Sequence, residues 1–182
     1  GGIHVYDGTT LACTGCTIDG NTAFVGGGLY ADESTLTMEQ CSITDNVSNY
    51  YGGGLAIDDT PSVLNGCAIT GNASDTFGGG MYCDSETLTL SSCTISGNTC
   101  NASEGSGGAA GNGGGVILWD VELTMGDTVN CDNSPDQLAT QWIVITSCGD
   151  SGSTTCDGDV NGDGSVDITD LLLVIGNWGT CP

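Results

Sequence analysis

The chain has 182 residues, with 23 acidic side chains, one histidine and neither lysine nor arginine, for a formal net charge of −23. With no cation to neutralise phosphate, nucleic-acid binding is excluded and anionic membrane surfaces are disfavoured. Cations, Ca2+ first, are the natural partners of such a surface. Eleven cysteines, regularly spaced apolar residues and no apolar run of membrane-spanning length point to a folded secreted protein, extracellular or at the cell surface. The chain opens Gly1-Gly2-Ile3 with neither initiator Met nor signal peptide, and is expected to be a processed form or a fragment.

A block recurs along the chain: CTIDGN from Cys16, CSITDN from Cys41, CAITGN from Cys67 and CTISGN from Cys93, each followed by a glycine triplet. The intervals between these cysteines are 25, 26 and 26 residues, a period that marks a solenoid. In chain order, each unit predicts three short strands of alternating polarity. The first strand turns inward Ile3 and Val5, then Leu29 and Ala31, Leu55 and Ile57, Met81 and Cys83, Val116 and Leu118. The second offers Leu11 and Cys13, Leu36 and Met38, Leu64 alone, Leu88 and Leu90, Leu123 and Met125. The third offers Cys16 and Ile18, Cys41 and Ile43, Cys67 and Ile69, Cys93 and Ile95. A degenerate copy, TVNCDN at 128–133, makes about five coils, a stack about 24 Å tall at the usual strand spacing. The fold class is therefore all-β, a short parallel β-helix over residues 1–150.

The corners carry their own pattern. Asn residues are expected to tolerate left-handed backbone and to bond the same amide one coil away. Val25, Tyr51 and Phe77 are expected to stack. Asp7, Asp32-Glu33, Asp58-Asp59, Asp84 and Asp120 recur at one corner, either as a calcium-binding ladder or as a solvated edge. The cysteine column at 16, 41, 67 and 93 reads as buried thiols acting as small hydrophobes rather than as a metal or disulfide ladder. Asn46, Asn72 and Asn101 fall in N-x-S/T sequons, so a glycosylating host would place sugars at that edge. Residues 98–113 form a Gly-, Ser- and Asn-rich loop insertion. Cys131 and Cys148 flank the last coil and could staple it by a disulfide. Trp142 to Ile145 form an apolar strand that either closes the last coil or offers the next edge.

After a flexible linker at 151–155, residues 156–182 form a small second module. DVNGDGSVDITD at 159–170 is an EF-hand-type loop, with Asp159, Asn161, Asp163, Ser165, Asp167 and Asp170 as the calcium ligands and Gly164 at the sharp turn. Asp170 stands where such loops carry Glu. An exiting helix follows, with Leu171, Val174, Ile175 and Trp178 on one face.

The C-x-I-x-x-N…G-G-G pattern over about 1–133 resembles right-handed parallel β-helix repeats, in particular those of bacterial polymorphic outer-membrane proteins. That resemblance implies a passenger-like adhesive region. Residues 156–179, with D-x-N-x-D-G-x-V-D-x-x-D-L-L, resemble half of a dockerin, the module that binds cohesin. The ending W-G-T-C-P, with Cys156 ahead of the loop, resembles single-copy segments of secreted planctomycete proteins. It implies a Cys156–Cys181 disulfide clasp.

These features favour a non-enzymatic, calcium-stabilised structural or adhesive protein. Strand residues begin at Gly2, so the first coil is expected either to continue a larger surface protein or to dock head to tail on another copy, making a fibre. The alternatives are the C-terminal part of a cell-surface adhesin or cohesin-anchored protein. A polysaccharide hydrolase using Asp58, Asp59 and Asp84 ranks lower, because five coils are few for a substrate groove and a lyase base, Arg or Lys, is missing from the chain. His4 reads as a chance surface residue.

Overall fold

The computed structural model describes residues 2–85, 87–102, 113–126, 128–134 and 138–148, the last of these segments by its backbone. The first coil holds β1 (Ile3–Val5), β2 (Thr10–Thr14), β3 (Thr17–Asp19) and β4 (Thr22–Ala23). The second holds β5 (Leu29–Asp32), β6 (Thr35–Glu39), β7 (Ser42–Thr44) and β8 (Val47–Ser48). The third holds β9 (Leu55–Asp58), β10 (Ser62–Asn65), β11 (Ala68–Thr70) and β12 (Ala73–Ser74). The fourth holds β13 (Met81–Asp84), β14 (Thr87–Ser91), β15 (Thr94–Ser96) and β16 (Thr99–Cys100). A fifth, less complete coil has β17 (Val116–Met125) and β18 (Val129–Cys131), and a single bridge, Thr99↔Ser134, in place of a fourth strand.

Every strand pairs in parallel with its counterpart one coil away, as in Leu29↔Leu55 and Leu55↔Met81. The fold is thus the expected parallel β-helix, with one difference: each complete coil has four strands, not three. The extra strand is the two-residue β4, β8, β12 or β16, too short to show alternation in sequence. β17 runs unbroken across the first two faces and joins their rows into one sheet. β19 (Leu138–Cys148) spans the expected 142–145 strand, is longer, and adds to β17 in parallel as the next rung, with a register shift between Leu123 and Thr124.

The expected inward residues form the core. Leu29, Leu36, Ile43, Leu55, Ile69 and Met81 are all fully buried. Where the third coil offers Leu64 alone, Ser62 fills the other inward site, its hydroxyl donating to the Thr60 carbonyl at 2.8 Å. The chain turns between faces on left-handed residues. One corner uses Asp7, Glu33, Asp59 and Asp120; the next uses Gly15, Gln40, Gly66 and Ser92; a third uses Gly20, Asp45, Gly71, Gly97 and Asp132. The left-handed residue of the third corner is therefore the one before each ladder asparagine, not the asparagine itself. The triplet corner differs because space is short there. Gly52 has φ of +66°, and a Cβ on it would strike the Leu55 carbonyl.

The asparagines form a closed ladder. Asn21, Asn46, Asn72 and Asn98 each donate Nδ2–H to the Oδ1 of the next, at 3.1, 3.0, 3.0 and 2.9 Å, ending on Asn133. The same Oδ1 atoms also accept the preceding asparagine's backbone N–H. The second Nδ2–H returns to a core-strand carbonyl one coil back, as from Asn72 to Ile43 at 2.9 Å. Asn133 ends the row by donating to Asn130 Oδ1 at 2.7 Å. Asn46 and Asn72 are fully buried with both amide hydrogens engaged, so the folded chain has no room for sugars at those two sequons. Asn101 is exposed.

Candidate functional site

Among the described residues, ionisable and aromatic groups gather on the outward side of the first face. Alternation fixes which residues point out: with Leu29 and Ala31 inward, Tyr30 and Asp32 face outward. Parallel register then stacks like upon like. His4, Tyr30, Ala56 and Tyr82 form one outward row. Asp32, Asp58, Asp84 and Trp119 form the next.

Rings border the carboxylates. Tyr51 packs on Tyr82 with centroids 4.3 Å apart, and His4 stacks on Tyr30 at 4.8 Å. Tyr51 and Phe77 share a backbone bridge as their expected stacking implies. Their rings, however, turn to other partners: Tyr51 to Tyr50 and Tyr82, Phe77 to Tyr50 and Trp119. The Tyr30 hydroxyl lies beside that of Tyr51, and the Tyr82 hydroxyl beside the Asp84 carboxylate.

No lysine or arginine opposes the acids. Burial first, then the carboxylates of Asp84, Asp32, Asp59 and Glu33, holds the Asp58 carboxyl above its ordinary range. Asp84 is raised by burial and by Asp59 and Asp120, a rise moderated by Tyr82. Burial and the nearby acids and phenols also push the Tyr30, Tyr51 and Tyr82 hydroxyls up, so they stay protonated donors at neutral pH. Chemically the face offers phenol donors, carboxylate acceptors and aromatic surface. Among the described residues no three carboxylates, thiols or imidazoles gather around one metal position. Asp7, Glu33, Asp59 and Asp120 are exposed.

The cysteine column is buried and reduced. Cys41, Cys67 and Cys93 are free thiols, each donating to a carbonyl of its own coil and one of the coil before, at 3.3–3.5 Å. The neighbouring Cys93 thiol, followed by burial, pushes the Cys67 thiol up. These thiols are packing groups that also satisfy corner carbonyls. The sequence reading passes over a second cysteine feature, Cys13-Thr14-Gly15-Cys16, although its C-x-x-C spacing is legible. The expected calcium ligands Asp159, Asn161, Asp163, Ser165, Asp167 and Asp170, the expected exiting helix and the expected Cys156–Cys181 clasp all lie outside the described residues. So do the side chains of Cys131 and Cys148.

A family model of the right-handed β-helix region matches residues 1–120. The chain belongs to the right-handed β-helix family. This gives the hand of the coil, which parallel crossovers favour in any case. Right-handed β-helices include both polysaccharide hydrolases and non-enzymes, so membership assigns no activity. No curated protein and no solved structure gives a significant match. Among the described residues, no helix is long and apolar enough to cross a membrane.

Proposed function

We propose that this β-helix is a non-enzymatic extracellular scaffold, structural or adhesive, that stacks head to tail on further copies and is stabilised by calcium at residues 159–170. The observation that carries this reading is the rim of the first coil. β1, β2, β3 and β4 each end their row of strands. Natural edge strands are blocked by lysine, proline or bulges, and these four contain no lysine and no proline. Ile3, Leu11 and Cys16 leave part of the core surface uncovered there. A coil of matching register would pair with that rim; we take it from a second copy, the alternative being further chain of a larger surface protein ahead of Gly1. Such a contact is heterologous and does not close, so it propagates into a fibre or layer.

The EF-hand-type loop supports calcium dependence, and the likeness of residues 156–179 to half a dockerin allows a cohesin-like or other cell-surface partner as an alternative. The likeness of the repeats to polymorphic outer-membrane protein passengers supports adhesion. Electron microscopy of the full chain in calcium and in chelator tests the assembly. Filaments of regular pitch in calcium are expected, and monodisperse particles under both conditions overturn it. Calorimetric titration of calcium tests the loop: binding should vanish in Asp159→Ala.

One observation favours a rival reading. Asp58 and Asp84 are neighbours at a strand spacing of about 4.8 Å, close to the separation used by retaining glycosidases, and aromatic rings flank them. Sugar release from a polysaccharide panel, abolished by Asp58→Asn, would replace the scaffold reading with hydrolysis.

A further inference from the structure

We infer that Cys13 and Cys16 form a reversible thiol–disulfide site at the first coil's corner, closed by exchange with a small-molecule disulfide of the glutathione class. Cys13 and Cys16 flank the turn between β2 and β3, Cys13 inside the core cluster and Cys16 packed against it, so the two thiols are neighbours at one corner. Gly15 makes that turn, with φ of +62° and nothing within 4 Å of where a Cβ would stand, so the corner has room to adjust as the sulfurs approach. A C-x-x-C spacing is short enough for such closure and is the spacing of reversible redox pairs.

The pair is peculiar to this coil. Cys13 is in register with Met38, Leu64 and Leu90 on the later coils. Cys41, Cys67 and Cys93 therefore each face an aliphatic side chain at the site where Cys16 faces a thiol. Access differs as well: Cys16 is half-buried, whereas those three are at most 2% exposed. Burial, with the neighbouring Cys16 thiol, pushes the Cys13 thiol up to about 11, and Cys16 is the more accessible of the two, so Cys16 meets the incoming disulfide first.

The chemistry balances. Cys16 loses its proton and its sulfur attacks one sulfur of oxidised glutathione, forming a mixed disulfide and expelling one glutathione, which takes up the proton. Cys13 then loses its proton and attacks Cys16 Sγ, expelling the second glutathione as a thiol. Two protein thiols are oxidised by two electrons, and one glutathione disulfide is reduced to two thiols.

The sequence makes the test clean. Cleavage before aspartates yields residues 7–18, which carry Cys13 and Cys16 and no other cysteine. The full chain, reduced and then treated natively with oxidised glutathione, is unfolded, alkylated with iodoacetamide, cleaved and weighed. The 7–18 peptide should be unalkylated and two hydrogens light, while the peptides of Cys41, Cys67 and Cys93 should be alkylated. Cys13→Ser, lacking the resolving thiol, should instead hold a glutathione on Cys16. A doubly alkylated 7–18 peptide from the native chain, a lasting glutathione adduct there, or equal oxidation of the buried column overturns the inference. Reduction by dithiothreitol should restore double alkylation, and a light peptide that survives it would refute reversibility.

Discussion

Two corners of the same coil stack polar side chains in strict register, with opposite consequences. At one, Asn21, Asn46, Asn72, Asn98 and Asn133 interlock at 2.9–3.1 Å in a buried row. At the other, Asp32, Asp58 and Asp84 stack on an open face with no lysine or arginine in the chain to separate them. The amide carries both donor and acceptor, so a column of amides satisfies itself. A carboxylate carries acceptors alone, so a column of carboxylates repels itself and is tolerated where water screens it. Repetition in register amplifies whichever property the side chain has.

The sharpest break of this contrast moves an acid into the amide row. Asn72→Asp changes one atom group, but it buries a charge and replaces a donor to Ile43 and Asn98 with an acceptor. A loss of about 4 kcal/mol, or failure to fold, is expected from urea denaturation. If the variant is as stable as the parent, the ladder does not hold the corner.

Next in size is a change beside the same row. A methyl on Gly54 would stand 2.7 Å from the Gly80 carbonyl oxygen and 3.0 Å from the Asn72 amide. Gly54→Ala should cost about 2–3 kcal/mol by overpacking, read as a lowered thermal midpoint. A neutral outcome would mean that the amide seat is loose.

The reverse exchange puts an amide among the acids. Asp58 and Asp84 have raised carboxyls in the folded chain, so the folded state binds more protons than the unfolded one. Their contribution is fully present below the ordinary carboxylate range near 4 and is lost as pH rises through the raised values. Thermal melts should therefore show the protein gaining stability as it is acidified from neutral pH toward about 4. Asp58→Asn should flatten that dependence and stabilise at neutral pH by less than about 1 kcal/mol, since the face is partly screened by solvent. A steeper dependence in the variant would contradict repulsion as the cause.

The smallest effect isolates hydroxyls from amides. Ser48 and Ser74 have buried Oγ atoms without a hydrogen-bond partner, on the short fourth strand where the first coil carries Ala23. Ser74→Ala should be neutral or stabilising, within about 1 kcal/mol. A loss of several degrees in the melt would show that the hydroxyl has a role.

Much of this was legible in the sequence because a solenoid repeats its message. The period placed Leu29 on Leu55 and Leu55 on Met81 without any knowledge of long-range contacts, and it placed Asp58 between Asp32 and Asp84. The fourth strand was not legible: Val47–Ser48 and its equivalents are two residues long, and period two needs more. The sequence points to the asparagines for the left-handed position, whereas Gly20, Asp45, Gly71, Gly97 and Asp132 take it, since both residues of each pair recur and spacing alone does not separate them. The aromatic partners were not legible either. Tyr51 and Phe77 share a column, yet whether a ring leans along its column or across to Tyr82 or Trp119 depends on neighbouring side-chain volumes.

The asparagine row also has a sense. The Oδ1 atoms of Asn46, Asn72, Asn98 and Asn133 each accept from the coil before, and at the late end Asn133 hands its last proton to Asn130 rather than to a sixth asparagine. Five amide dipoles lie aligned along the coil axis, terminated by the chain's own side chain at one pole. A coil arriving at the Asn21 pole would meet a carbonyl-type oxygen, and one arriving at the other pole would meet a row already closed. The stack is an arrow rather than a rod, and growth at its two ends would proceed at different rates.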